Sequence, residues 1–214
     1  MVHKKEEIKA VIFDINGVLQ LGNGYSNERN GSIEGVHNYI ANKLKLSMDH
    51  YFDALDTSYA LSIEGKISRK KAIQTIAKNL KISQEKLRLL FKKAYKRKFK
   101  KNKKLLKFAS KLKKKGYKTA ILSDQWHLSE EFLSPKKLTN RFDYVVLSTT
   151  AKVRKPNPKI YRMVLKKLKM PAKNTVFIDD RNWNIVPAKK LGMNTILFKD
   201  NKQTIQDLEK LGVK

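Results

Sequence analysis

Residues 8–15 read IKAVIFDI, and Asn16-Gly17 follows at once. The run is apolar on both faces, ends on an aspartate and stops at a turn pair, which suits a strand buried inside a parallel sheet. Three further runs share this character: 118–124 (KTAILSD), 143–149 (DYVVLST) and 175–180 (TVFIDD). A shorter one, 195–198 (TILF), adds a fifth candidate strand.

Helical patterns separate these runs. Residues 103–115 place Leu105, Leu106, Phe108, Ala109 and Leu112 on one face, and Gly116 stands where a helix stops. Asn157-Pro158 opens another helix, with Tyr161, Val164, Leu165 and Leu168 on its buried stripe. A third spans 182–191 before Gly192 and requires Pro187 to fall in its first turn. Strand alternating with helix predicts an α/β fold with a parallel sheet and right-handed crossovers.

Residues 21–101 break the rhythm, showing no convincing strand and helical pattern over 36–44, 51–60, 68–80 and 84–99. Ser68 and Ser83 are expected N-caps. A helical insert straight after the first strand should lie over the sheet like a lid.

The 48 Lys and Arg against 19 Asp and Glu give a net charge of +29. Such a field attracts polyanions, including nucleic acid, anionic membranes and phosphorylated metabolites. The lysines crowd residues 91–118, where 15 of 28 positions are basic, but they fall on the solvent-facing sides of helices. A lysine-rich composition accounts for them, and nucleic acid stays open as a partner. The chain has no cysteine, which excludes disulfides, a thiolate nucleophile and a cysteine-ligated zinc. No apolar run reaches the roughly 18 residues that span a bilayer. The amino end is charged and unlike a secretion signal, so the expectation is a cytoplasmic protein outside the membrane.

In an open α/β sheet, ligands bind beyond the carboxyl ends of the strands. Asp14, Ser123 and the pair Asp179-Asp180 all stand at such ends, so three distant segments bring polar groups to one place. A carboxylate such as Asp14 can attack phosphorus and form an acyl phosphate. Crowded carboxylates tolerate a phosphate dianion only if a cation such as Mg2+ intervenes. Lys155, in Arg154-Lys155-Pro156, would balance the remaining charge, and the Ser123 hydroxyl would donate to a phosphoryl oxygen.

Four motifs in order now carry a resemblance. FDINGVL (13–19) resembles the first motif of the haloacid dehalogenase (HAD) superfamily, and ILSD (121–124) the second. KVRKPNPKIY (152–161) is similar to the third, and VFIDDRNWNI (176–185) to the fourth. The resemblance covers nearly the whole chain and points to the subgroup of small-metabolite phosphatases and the phosphatase domain of epoxide hydrolases. It implies a Rossmann-like core over residues 1–20 and 102–214, with a helical cap over 21–101. It also implies a magnesium-dependent phosphatase of a small phosphorylated metabolite. Asp14 takes the nucleophile's place, Lys155 that of the charge-balancing lysine, and Ser123 with Asp124 the phosphate-binding segment. Asp180 corresponds to the direct metal ligand, Asp179 and Asn184 to its supporting ring, and the backbone carbonyl of Asn16 to a further ligand.

Position 16 departs from the pattern, since the family's general acid/base aspartate is here an asparagine. An amide has no useful pKa, and general acid–base catalysis is typically worth about 100- to 10,000-fold. Four explanations stand side by side. Water or a cap residue serves as acid; the chain is a dehalogenase-type hydrolase, a class that also lacks this aspartate but needs no metal; it is a binding protein on the same fold; or Asn16-Gly17 deamidates. Beside the motifs, Trp126 is expected to pack, His127 to be solvated, and residues 92–104 to form a solvated helix face. His3, His37 and His50 show no ligand spacing.

Overall fold

The computed structural model describes residues 7–22 and 31–214; residues 1–6, with His3 and most of the charged amino end, lie outside them. The first run forms β1 (Ala10–Phe13), and β2 (Gln20–Gly22) follows closely. Four helices come next: α1 (Gly31–Leu44), α2 (Met48–Ile63), α3 (Arg69–Asn79) and α4 (Gln84–Lys98). The chain then continues through β3 (Phe99–Lys101), α5 (Lys103–Lys114), β4 (Lys118–Ser123), α6 (His127–Leu133), α7 (Lys136–Thr139) and β5 (Tyr144–Leu147). It closes with α8 (Ser148–Ala151), α9 (Pro158–Leu168), β6 (Thr175–Asp179), α10 (Asn182–Lys190), β7 (Asn194–Leu197) and α11 (Asn201–Lys210).

Five strands form one parallel sheet in the order β5-β4-β1-β6-β7. Successive β1 side chains point to opposite faces. Val11 and Phe13 join the apolar layer of α5 and α11, while Ala10 and Ile12 join that of α9 and α10. Both faces are buried, the condition that the continuous apolar run foretold. From β1 the chain builds outward to β4 and β5 on one side, then returns to build β6 and β7 on the other. The reversal puts the carboxyl end of β1 at the sheet's switch point.

In the insert, the Ser68 hydroxyl accepts the Lys71 N–H and that of Ser83 the Lys86 N–H, as expected of N-caps. Within α4 Leu87, Phe91, Ala94 and Tyr95 are buried while Lys92, Lys93, Lys96 and Arg97 are exposed. Here the basic run is a solvated face. No helix among the described residues is long and apolar enough to cross a membrane.

Four local expectations need correction. β2 and β3 pair antiparallel at the two ends of the insert, with Leu21 opposite Lys100. Three residues a side are too few to show alternation, so the sequence concealed them. Buried Asn102 fixes this stem through its N–H to the Leu19 carbonyl and its side-chain amide to the Val18 carbonyl, each 2.9 Å. The strand expected over 143–149 stops at Leu147, because the Ser148 hydroxyl turns away to bind the Gln125 backbone. Pro187 lies one turn inside α10 rather than in its first turn. The missing N–H deprives only the carbonyl of Trp183, an exposed residue. His127 is not simply solvated, since its ring lies 2.8 Å from the Ile67 carbonyl and its N–H donates to the Ser62 hydroxyl.

His37 is a core histidine. Its Nδ1 lies 3.0 Å from the Tyr51 hydroxyl, among the rings of Tyr51, Phe52, Tyr59 and Phe91. Burial lowers its pKa to about 4. Between about pH 6.5 and 4 the unfolded chain therefore binds a proton that the folded chain refuses, so stability falls as pH drops through that window. The loss is roughly 3 kcal/mol at about 1.4 kcal/mol per pH unit. Urea unfolding of wild type and His37→Gln should show their stability difference shrinking from pH 7 to pH 4; a constant difference would contradict a buried neutral imidazole.

Candidate functional site

Four loops converge at the carboxyl edge of the sheet, those after β1, β4 and β6 and the one between α8 and α9. Asp14 follows β1 and keeps its N–H in the sheet, donating to the Ile178 carbonyl at 2.9 Å. Its Oδ1 accepts the Ile15 N–H at 2.7 Å. Ser123 ends β4, its buried hydroxyl accepting the Gln125 side-chain amide at 2.9 Å and acting to lower the Asp14 pKa. Asp179 ends β6, with Asp180 next. The Lys155 ammonium, 1% exposed as a side chain, lies 2.6 Å from Asp179 Oδ2 and 3.2 Å from Asp14 Oδ1.

The surrounding residues hold these groups in place. Asp179 Oδ1 also accepts the Arg181 N–H at 2.8 Å, and Asn184 Nδ2 reaches both Asp179 oxygens at 3.0 and 3.1 Å. Asp179 is thereby saturated by one cation and two neutral donors. Asp124 accepts the Lys155 backbone N–H at 3.0 Å and lies 3.8 Å from Arg154 Nε, so it braces the segment that carries the lysine. Gly17 has φ +81°, and a Cβ there would run into the Asp180 carboxylate. Glycine thus satisfies both the turn and the approach of Asp180 to Asp14.

Carboxylate oxygens of Asp14, Asp179 and Asp180 all lie within 4.8 Å of one another. One ammonium among three carboxylates leaves a local excess of negative charge. Burial pushes the Asp14 carboxyl up to about 7, with Asp179 and Asp180 adding to the rise and Lys155 and Ser123 opposing it. Asp180, at the solvent-facing rim, is pushed up to about 6 by the protein packed around its carboxyl group and then by Asp179. Burial works against the charge on Lys155, but Asp14, Asp179 and Asp124 outweigh it and keep the lysine protonated. The donor set, all oxygen and net negative, suits a hard divalent cation.

A cavity of about 120 Å³ opens on this cluster. Asp14, Asn16, Asp124 and Lys155 are among its lining residues, together with Tyr59, Ile63 and Tyr95 from the helical insert. Trp126 packs 5.0 Å from the Tyr59 and Phe91 rings, donates its N–H to the Tyr95 hydroxyl, and lines the cavity too. Its packing role and its place at the site are therefore compatible. A larger groove of about 660 Å³, between the insert and Glu131, contains none of the expected site residues.

Sequence reasoning missed Gln125, Tyr59 and Tyr95. Gln125 donates through Nε2 to Ser123 Oγ at 2.9 Å and to Asn16 Oδ1 at 3.2 Å. Its position directly after ILSD was its only signal. The two tyrosines carried none beyond helical spacing.

A family model for haloacid dehalogenase-like hydrolases matches residues 27–198. Over 115 residues the chain is 36% identical to bifunctional epoxide hydrolase 2 of Rattus norvegicus, a match covering 51% of this chain and 21% of that protein. It is 36% identical over 104 residues to glyceraldehyde 3-phosphate phosphatase of Pyrococcus furiosus, covering 46% of this chain and 42% of that one. The matches thus span less than half the length of these relatives. A HAD-family enzyme of Bacteroides thetaiotaomicron, solved with magnesium and inorganic phosphate, superposes with a TM-score of 0.70 at 21% identity, over 92% of this chain and 98% of that chain. At that identity the likeness is one of fold. With its ordered motifs, its parallel sheet and this match over most of its length, the chain belongs to the haloacid dehalogenase-like hydrolases.

Proposed function

We propose that this hydrolase is a magnesium-dependent phosphatase that acts on a small phosphorylated metabolite through Asp14. The observation that carries the reading is the cluster of Asp14, Asp179 and Asp180 with Lys155 bridging the first two. A dehalogenase needs no metal, and this excess of carboxylates would serve it poorly.

Asp14 is the nucleophile on phosphorus, held by the Ile15 N–H and the Lys155 ammonium. Ser123 and Lys155 contact the phosphoryl oxygens. Asp124 acts one step back, keeping the Lys155 segment in register. Asp14, Asp180 and the backbone carbonyl of Asn16 would hold the magnesium ion, and Asp179, already saturated, would support them together with Asn184. Bound magnesium supplies charge neutralisation among the carboxylates and polarises a phosphoryl oxygen.

Residues 21–101 act as the cap. They contribute Tyr59, Ile63 and Tyr95 to the cavity and are tied down by Arg69 and Arg88, which both pair with Glu131. A cavity of about 120 Å³ suits a phosphoryl group with a short organic body. The Pyrococcus relative, named for a three-carbon phosphate, agrees with that size.

Hydrolysis of p-nitrophenyl phosphate should be slow, cease with EDTA and return with Mg2+. Asn16→Asp should raise it, by as much as about 100-fold or more where proton transfer limits the rate. Magnesium should also raise the thermal midpoint of the wild type, but much less that of Asp180→Asn. Turnover indifferent to chelation would defeat the metal-dependent reading.

A further inference from the structure

Two arginines from different loops line the cavity. Arg154 lies between α8 and α9 and Arg181 between β6 and α10, and Trp183 lines the cavity with them. Each arginine stands next in the chain to a group of the phosphoryl end, Arg154 to Lys155 and Arg181 to Asp180. Both guanidinium groups act on the Tyr59 hydroxyl, drawing its pKa down against the rise that burial causes. They therefore stand near one point, where the insert meets the core.

Neither arginine is buried. The Arg154 side chain is 45% exposed and meets Asp124 through Nε at 3.8 Å, too long for a hydrogen bond. That loose pair does not use the two-pronged edge of the guanidinium, the part that matches a carboxylate or a phosphate. The Arg181 guanidinium lies over the Trp183 ring, 5.2 Å from its centroid, and the ring is half exposed. Stacking uses the face of a guanidinium and recognition of an anion uses its edge, so the ring orients the group without consuming its donors. The insert offers the two cations no acid at the cavity, since it contributes Tyr59, Ile63 and Tyr95. Lys155 already serves Asp14, Asp179 and the phosphoryl group, and neither arginine has a task in that chemistry.

We propose that Arg154 and Arg181 select a substrate with a second anionic group, a carboxylate or a second phosphate, a short carbon chain away from the phosphoryl group. This rests on the phosphatase reading above and names its substrate class. The phosphoryl group is taken at Asp14, Ser123 and Lys155, and the second anion lies between the two guanidinium groups. A cavity of about 120 Å³ leaves no room for a long body between them. Both arginines determine specificity and take no part in making or breaking bonds. In about 0.15 M salt the field of the distant surface lysines is screened beyond about 8 Å, so a preference that survives there comes from charges at the site.

The test is inhibition of p-nitrophenyl phosphate hydrolysis, with Mg2+ in about 0.15 M salt, by glycerol 3-phosphate, 3-phosphoglycerate and 1,3-propanediol bisphosphate. All three have a three-carbon body, and only the last two carry a second anion. At least one of those two should inhibit the wild type about tenfold or more tightly than glycerol 3-phosphate, the worth of one hydrogen bond between charged groups. The tighter of them identifies the group that is read as carboxylate or phosphate. Arg181→Met and Arg154→Met should each shrink that advantage towards one, with glycerol 3-phosphate losing far less affinity than the doubly anionic probe. Lys92→Met, on the solvated face of α4, should keep it. Equal inhibition by all three probes, an advantage that persists in both arginine variants, or one that Lys92→Met also removes would overturn the inference and leave the phosphatase reading standing. Absence of p-nitrophenyl phosphate hydrolysis would remove the phosphatase reading and this inference with it.

Discussion

Asp14→Asn should abolish aryl phosphate hydrolysis, a loss of roughly 10,000-fold or more, while the chain stays folded. The amide nitrogen cannot act as the carboxylate does toward phosphorus, and none of the remaining carboxylates can take its place. Asp179 is held by Lys155, Arg181 and Asn184, and Asp180 is positioned against Gly17. Stability should move the other way. The Asp14 carboxyl is pushed up to about 7 by burial and by its acidic neighbours, so its charged form is disfavoured in the fold. A neutral amide of the same shape removes that cost. Without metal, the gain in thermal midpoint is full above about pH 7 and fades towards pH 4, where the wild-type carboxyl is protonated whether folded or not. Assays paired with melts at pH 8 and pH 4 would check both halves. Residual activity with a lowered midpoint at pH 8 would mean that Asp14 is a structural anchor and not the nucleophile.

Lys155→Met should have the second large effect, on both rate and fold. The lysine is buried, and its charge is the near partner of both Asp14 and Asp179. Removing one member of a buried charged set leaves the others uncompensated, typically at a cost of about 3–5 kcal/mol. Urea unfolding should show that loss at pH 8. Mg2+ should restore part of it, since the cation would occupy the same excess of negative charge. Hydrolysis should not return with the metal if, as proposed, Lys155 is the ammonium partner of the phosphoryl oxygens. An unchanged urea midpoint would show that the carboxylates do not depend on Lys155.

Much of this site was legible because its motifs sit at the ends of strands. Residues 8–15 reveal a strand buried on both faces, since apolar periodicity is a local property of the chain. Once β1, β4 and β6 are parallel neighbours, Asp14, Ser123 and Asp179 must emerge side by side. Lys155, one of 48 basic residues, could be singled out only by its R-K-P-N-P context. The helices of the insert were equally visible, down to the Ser68 and Ser83 caps, because capping is decided within one turn.

Other features had no local signature. The stem of β2 and β3 joins segments nearly eighty residues apart through three residues a side. Pro187 could be placed only once the start of α10 was known, and His127 was read as solvated because its partners lie in the insert. By itself, then, the sequence determined the strands, the helices and the motif residues at the carboxyl ends of β1, β4 and β6, since each follows from short-range pattern and the parallel arrangement it dictates. Only the tertiary structure decided that Gly17 admits Asp180, that Asp124 braces Lys155, and that Gln125 grips Asn16 across 109 positions. Those contacts depend on how loops meet in space, and a hydrogen bond between distant loops leaves no periodicity behind.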